Sequence, residues 1–140
     1  MKYFSTRDST IKLSFEEIFF KGLASDGGLF LPENFPKLDE LELKNFTKLN
    51  FQEMSYEIFK IYTGNTFENN DLRNIINKAY KNFRNPKIVD VKECGNISFV
   101  QLHHGPTLAF KDIAMQVLGE MYVNLLSKNN KKINLITATS

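Results

Sequence analysis

His103-His104-Gly105-Pro106-Thr107-Leu108-Ala109-Phe110-Lys111-Asp112 decides how the rest of the chain is read. Gly105-Pro106 is a turn signal. Beyond it Ile113, Ala114, Val117, Leu118, Met121, Tyr122 and Leu125 recur at helical spacing, predicting a helix from about Phe110 to Leu126. Before it, Ile97 to His103 reads as a strand. Lys111 therefore falls where a loop enters a buried helix. Its apolar neighbours Leu108, Phe110 and Ile113, and the positive end of a helix, all disfavour an ammonium. A neutral amine is the form that bonds covalently to an aldehyde. A lysine whose stem lies on the helix start while its charge reaches solvent is the ordinary alternative.

Working outward, Ile88–Val91 is a strand candidate, and Glu93-Cys94-Gly95-Asn96 reads as a turn. Ile133 to Ala138 is a further apolar strand after the solvated connector Ser127–Lys132. Strand, helix and strand within so short a span form a βαβ unit, which predicts parallel strands. Ser14-Phe15-Glu16-Glu17 has the form of a capping box and opens a helix over 15–21 that stops at Gly22. Asp26-Gly27-Gly28 is a tight turn in which both glycines can take positive φ. A short helix is expected near Leu38–Leu43. Asn50 opens a helix that Gly64 ends, and a second runs from Asn70 to Asn82; together they predict an αα-hairpin. Residues 2–6 form a short strand, and Thr10 to Leu13 an extended segment.

The 140 residues suffice for one modest core. Apolar residues at 42% and charged residues at 24% are ordinary for a soluble globular protein. Net charge is +2 with the lysines scattered, so no basic stripe points to nucleic acid. The single Cys94 excludes an internal disulfide and argues for a reducing compartment. No apolar run has the length of a membrane span, and the N-terminus lacks the apolar core of a signal peptide. The expectation is a cytoplasmic protein with no membrane or nucleic-acid partner. His103 and His104 are adjacent, so on a strand they point to opposite faces and make a poor shared metal site. No metal is assigned.

His104-Gly105-Pro106-Thr107-Leu108-Ala109-Phe110-Lys111-Asp112 resembles the pyridoxal-phosphate lysine segment of the threonine synthase family. Ser5-Thr6-Arg7 and Gly22 to Pro32, with Asp26-Gly27-Gly28-Leu29-Phe30-Leu31-Pro32 at its centre, resemble that family's N-terminal segments. The resemblance covers essentially the whole chain and implies the N-terminal part of a longer enzyme of fold type II. The expected architecture is α/β. Residues 1–85 form a mostly helical N-terminal region with short strands. Residues 86–140 begin a parallel-sheet βαβ layer, incomplete relative to the full enzyme.

The resemblance implies a carbon–oxygen lyase that turns O-phospho-L-homoserine and water into L-threonine and phosphate. Lys111 would carry pyridoxal 5'-phosphate. Thr139 and Ser140 would open the loop that holds the substrate carboxylate, and Arg7 is a candidate for the substrate phosphate, since guanidinium geometry suits it. The family's phosphate loop and pyridine-nitrogen partner lie further along, so this chain alone is expected to be inactive, and a βαβ unit with one face uncovered is expected to make it prone to aggregate. Gln101 stands where many relatives carry an acidic residue. Asp112 is read as an electrostatic complement to the helix start, and Thr107 as a local hydrogen-bonding residue. The competing readings are a threonine synthase-like protein acting on other phosphorylated substrates, and a non-catalytic module.

Overall fold

A computed structural model describes residues 1–136. The chain divides into two compact units, Met1–Leu72 and Arg73–Ser140, with the division inside a helix. It is mixed α/β, and the N-terminal region is mostly helical with short strands, as expected.

In the first unit β1 (Tyr3–Ser5) pairs antiparallel with β2 (Phe30–Pro32), and Leu13 bridges to Tyr3 on β1's other edge. Two short strands need outside support to persist. Here Tyr3 is 5% exposed and its hydroxyl donates to the Tyr62 carbonyl at 2.6 Å. Its ring meets Phe15, which in turn meets Phe19 and Phe67. Phe15 and Phe19 belong to α1 (Phe15–Lys21), Tyr62 to α3 (Phe51–Thr63), and α1 packs on α3. In chain order α2 (Glu40–Phe46) precedes α3.

Three helices in this unit start with a reciprocal capping box: Ser14 with Glu17, Asp39 with Glu42, and Asn50 with Glu53. The short helix expected near Leu38–Leu43 begins at Glu40, where Asp39 supplies the cap, and runs on to Phe46. Gly22 (φ +69°) and Gly64 (φ +58°) close α1 and α3 in conformations that disfavour a Cβ. Of the two glycines after Asp26 only Gly27 uses positive φ, at +77°. Gly28 is required for space: a methyl there would overlap the Ser5 hydroxyl.

A fourth helix, α4 (Asn69–Tyr80), carries the division between the units. Its Leu72, Ile75, Ile76, Ala79 and Tyr80 are all buried, the spacing of one helical stripe.

The second unit differs from expectation in its sheet. β3 (Asp90–Cys94) and β4 (Ile97–Gln101) form an antiparallel hairpin in register Asp90↔Gln101 to Cys94↔Ile97. A two-residue connection, Gly95-Asn96, with Gly95 at φ +63° turns the chain. The strand expected at Ile88–Val91 starts only at Asp90, since Ile88 (φ +65°) is part of a turn after Asn85. The parallel strand expected over 133–138 is not formed in its described part. Residues 131–136 carry no regular structure, and Leu135 and Ile136 are exposed. A parallel strand has no hydrogen bonds of its own until a neighbour is in place, and β3 already occupies one edge of β4. The last helix, α5 (Asp112–Lys128), buries Val117, Met121 and Leu125 one turn apart. Thr139 and Ser140 lie outside the described residues.

Candidate functional site

The segment between β4 and α5 is held at both ends. At its start the Arg84 N–H donates to the His104 carbonyl at 2.8 Å, and Asn85 Nδ2 lies 3.5 Å from His104 Nε2. At its end the Tyr80 hydroxyl donates to the Ile113 carbonyl at 3.1 Å. Tyr80 comes from the buried face of α4, so a core residue fixes the first turn of α5.

Between these anchors the backbone makes successive tight turns. Leu108 N–H donates to the Gly105 carbonyl, Asp112 N–H to Ala109, and Ile113 N–H to Phe110. Leu108 sits at φ +65°, a left-handed position that costs an L-residue about 1 kcal/mol. Asp112 offsets this. It is 4% exposed, and its two carboxylate oxygens accept from the Thr107 N–H at 2.8 Å and the Thr107 hydroxyl at 2.9 Å. Hydrogen bonds to a charged acceptor contribute roughly 1.5–3 kcal/mol each, enough to outweigh the strain. Gly105 is buried against the same carboxylate, and a Cβ there would overlap Asp112.

Lys111 is the N-cap of α5, with φ −62° and ψ −23°. Its carbonyl accepts from Ala114 and Met115 N–H groups at 3.1 and 2.8 Å. The side chain is exposed, and among the described residues its amine has no ion-pair partner. The apolar surround expected from Leu108 and Phe110 is not closed: they are 50% and 64% exposed. These rings and chains form an open apolar rim rather than a desolvating wall, because an apolar side chain excludes water only when something packs on its other side.

An exposed primary amine on a braced loop, flanked by Leu108 and Phe110, fits the covalent anchor of an aldehyde cofactor carrying a flat ring. The start of α5 does not fit that cofactor's phosphate, since its first amides are already taken by Ala109, Phe110 and Lys111 carbonyls. Phosphate binding at a helix start needs free N–H groups.

The remaining sequence candidates stand as follows. Arg7, in the first unit, is exposed, and its Nη1 donates to the Asp26 carbonyl at 2.9 Å beside Gly27. It braces the Asp26-Gly27-Gly28 turn and leaves part of its guanidinium outward. That turn is tied further: Asp26 Oδ1 accepts from the Ser5 hydroxyl and the Gly28 N–H, both at 2.8 Å. The two histidines do not face apart, because the strand ends at Gln101. Their ring centroids lie 4.6 Å apart with the planes tilted by 45°. Among the described residues no group of three or more His, Cys, Asp or Glu could hold a metal ion. None of the described helices is long and apolar enough to cross a membrane. Cys94 is exposed. The residue that sequence reasoning undervalued is Asp112. Its signal was present in Gly105 and Thr107, a space and a donor placed just upstream of a carboxylate at a helix start.

The chain is similar to known proteins. A family model described as the threonine synthase N terminus matches residues 2–80. Threonine synthase of Pseudomonas aeruginosa is 34% identical over 141 residues, covering 100% of this chain and 30% of that protein. Threonine synthase-like 2 of Xenopus laevis is 35% identical over 142 residues, covering 100% and 30%. The crystal structure of pyridoxal-phosphate-bound threonine synthase from Brucella melitensis superposes with TM-score 0.88 at 33% identity, covering 93% of this chain and 28% of that one. That of the yeast threonine synthase gives 0.87 at 35% identity, covering 92% and 27%. The chain thus spans about 30% of the length of the relatives it matches.

Proposed function

Because this chain belongs to the threonine synthase family, we propose that the protein containing it converts O-phospho-L-homoserine and water into L-threonine and phosphate. Lys111 carries pyridoxal 5'-phosphate in this reading. The observation that supports it is the exposed Lys111 side chain, carried by a loop-to-helix junction whose two ends are anchored. When bound, the cofactor supplies an electron sink for bond breaking next to the amino group. The Nζ of Lys111 holds that group in place. When unbonded, the same Nζ takes up and returns a proton at the reacting carbons, where proximity substitutes for basicity. Leu108 and Phe110 supply an apolar rim on which packing from elsewhere excludes water. Arg7 is assigned to the substrate phosphate and Thr139 and Ser140 to its carboxylate. Residues 1–85 are taken as the N-terminal domain and 86–140 as the start of the catalytic domain. A cytoplasmic location belongs to the same reading, and the absence of a cysteine pair within these 140 residues supports it. No nucleic-acid partner is proposed.

The test is phosphate release and threonine formation from O-phospho-L-homoserine by the full-length protein. Lys111→Ala should lower the rate by about a thousandfold. Turnover unaffected by that substitution would end the assignment. A second reading is favoured by the threonine synthase-like 2 relative, which covers the chain as fully as the synthases do. Phosphate release from other phosphorylated amino acids, but not from O-phospho-L-homoserine, would select it.

A further inference from the structure

We propose that Asp112 is the positioning residue of Lys111, and that it acts as a clasp on the loop rather than as a charge at the helix start. The choice between the two rests on where its oxygens point. Both accept from Thr107, five residues back, one from the N–H and one from the hydroxyl. The first amides of α5 are engaged by loop carbonyls instead. The carboxylate is also buried, which a group serving only a surface helix terminus does not need to be.

The clasp closes residues 105–112 into one compact turn. Gly105 leaves the volume that Asp112 fills. Leu108 accepts its left-handed backbone inside the closed loop. Lys111 is the residue just before the clasp, and its carbonyl receives the Met115 N–H at 2.8 Å. With residue 112 pinned to Thr107 and residue 113 pinned to Tyr80, the direction in which the Lys111 stem leaves the backbone is set by its neighbours. Long side chains have many rotamers, so a fixed stem is what confines a lysine amine to one region. The consequence for Lys111 chemistry rests on the functional reading above; the clasp itself does not.

Amide exchange measured by NMR tests the clasp without cofactor. In the full-length protein without cofactor, Asp112→Ala should speed exchange at Thr107 and Met115 by about tenfold or more. Asp112→Asn should speed it clearly less than Asp112→Ala does, because its carboxamide oxygen can accept from the Thr107 N–H while its amide donates to the hydroxyl. Unchanged exchange in Asp112→Ala overturns the proposal. So does Asp112→Asn behaving like Asp112→Ala, which would mean that charge alone matters. Should Asp112→Ala not fold, Thr107→Val removes only the hydroxyl bond and should speed Met115 exchange in the same direction; no change there overturns it.

Lys111 itself is read in the full-length protein, by borohydride trapping of pyridoxal phosphate and peptide mapping. The share of label on Lys111 should fall about tenfold in Asp112→Ala and return in Asp112→Asn. A loop that opens while the label stays on Lys111 would make Asp112 merely structural and refute the proposal. Parent protein without label on Lys111 would refute the functional reading instead, and the exchange data would still decide whether Asp112 fixes this backbone.

Discussion

The chain contains two knots built from the same parts, one in each unit. In the first, Asp26 takes the Ser5 hydroxyl and the Gly28 N–H, and Gly28 leaves room for Ser5. In the second, Asp112 takes the Thr107 hydroxyl and N–H, and Gly105 leaves room for Asp112. The difference is reach. Asp26 ties a strand to a turn 21 residues away, so it closes the unit's tertiary structure. Asp112 ties a loop to itself across five residues and leaves the neighbouring Lys111 exposed. A long-range knot stabilises a fold; a short-range knot presents a side chain. The surroundings agree. Tyr3, on the strand of Ser5, and Ala24, whose N–H donates to the Gly28 carbonyl, are buried, whereas Leu108 and Phe110 beside the second knot are exposed.

Substitution of the glycines should break the two knots unequally, and this is the largest expected effect. Gly28→Ala forces Ser5 away from Asp26 and should lower unfolding free energy by about 3 kcal/mol in urea titration. Gly105→Ala should open the loop at a smaller global cost, on the order of 1 kcal/mol, since the segment can unfold locally. Equal losses would remove the distinction between the knots.

Next in size is an alkaline transition in the first unit. Burial, with a smaller contribution from Tyr62, pushes the Tyr3 hydroxyl up to about 12 from its ordinary value of 10.0. The folded state therefore favours the neutral phenol. That contribution is whole below pH 10 and is lost as pH rises from there towards 12. Stability measured across that range should fall, and Tyr3→Phe should flatten the part of the fall that Tyr3 causes. An unchanged slope would contradict the burial argument.

The smallest effect should come from the lysine. Lys111→Ala should change unfolding free energy by no more than about 0.5 kcal/mol, because the side chain is exposed and unpaired among the described residues. A large loss would make Lys111 a structural residue and undercut its proposed role.

The first unit was mostly legible in the sequence. Ser14 with Glu17, and Asn50 with Glu53, announce their helices, and Gly22 and Gly64 announce their ends. Such signals are local, so a single sequence carries them. Gly28 was read as a source of backbone freedom when it is a space, because its neighbour Ser5 lies far along the chain. The second unit was harder. Two short segments joined by Gly95-Asn96 carry the hairpin signal. The helical pattern after them suggests a parallel crossover from Ile97–His103 to 133–138, and the described part of that last segment, 133–136, carries no strand. Lys111 was placed correctly at the start of a helix, but its apolar enclosure was not, since adjacent Leu and Phe residues enclose an amine only when distant residues cover them.

The central claim is that Lys111, presented by this short-range knot, is the point of covalent attachment for pyridoxal phosphate. It is tested most directly by incubating the full-length protein with pyridoxal phosphate, reducing with borohydride, and locating the label by mass spectrometry. The account predicts one dominant adduct, on Lys111, and its disappearance in Lys111→Ala. A label spread over several lysines, or concentrated on another residue, would contradict it.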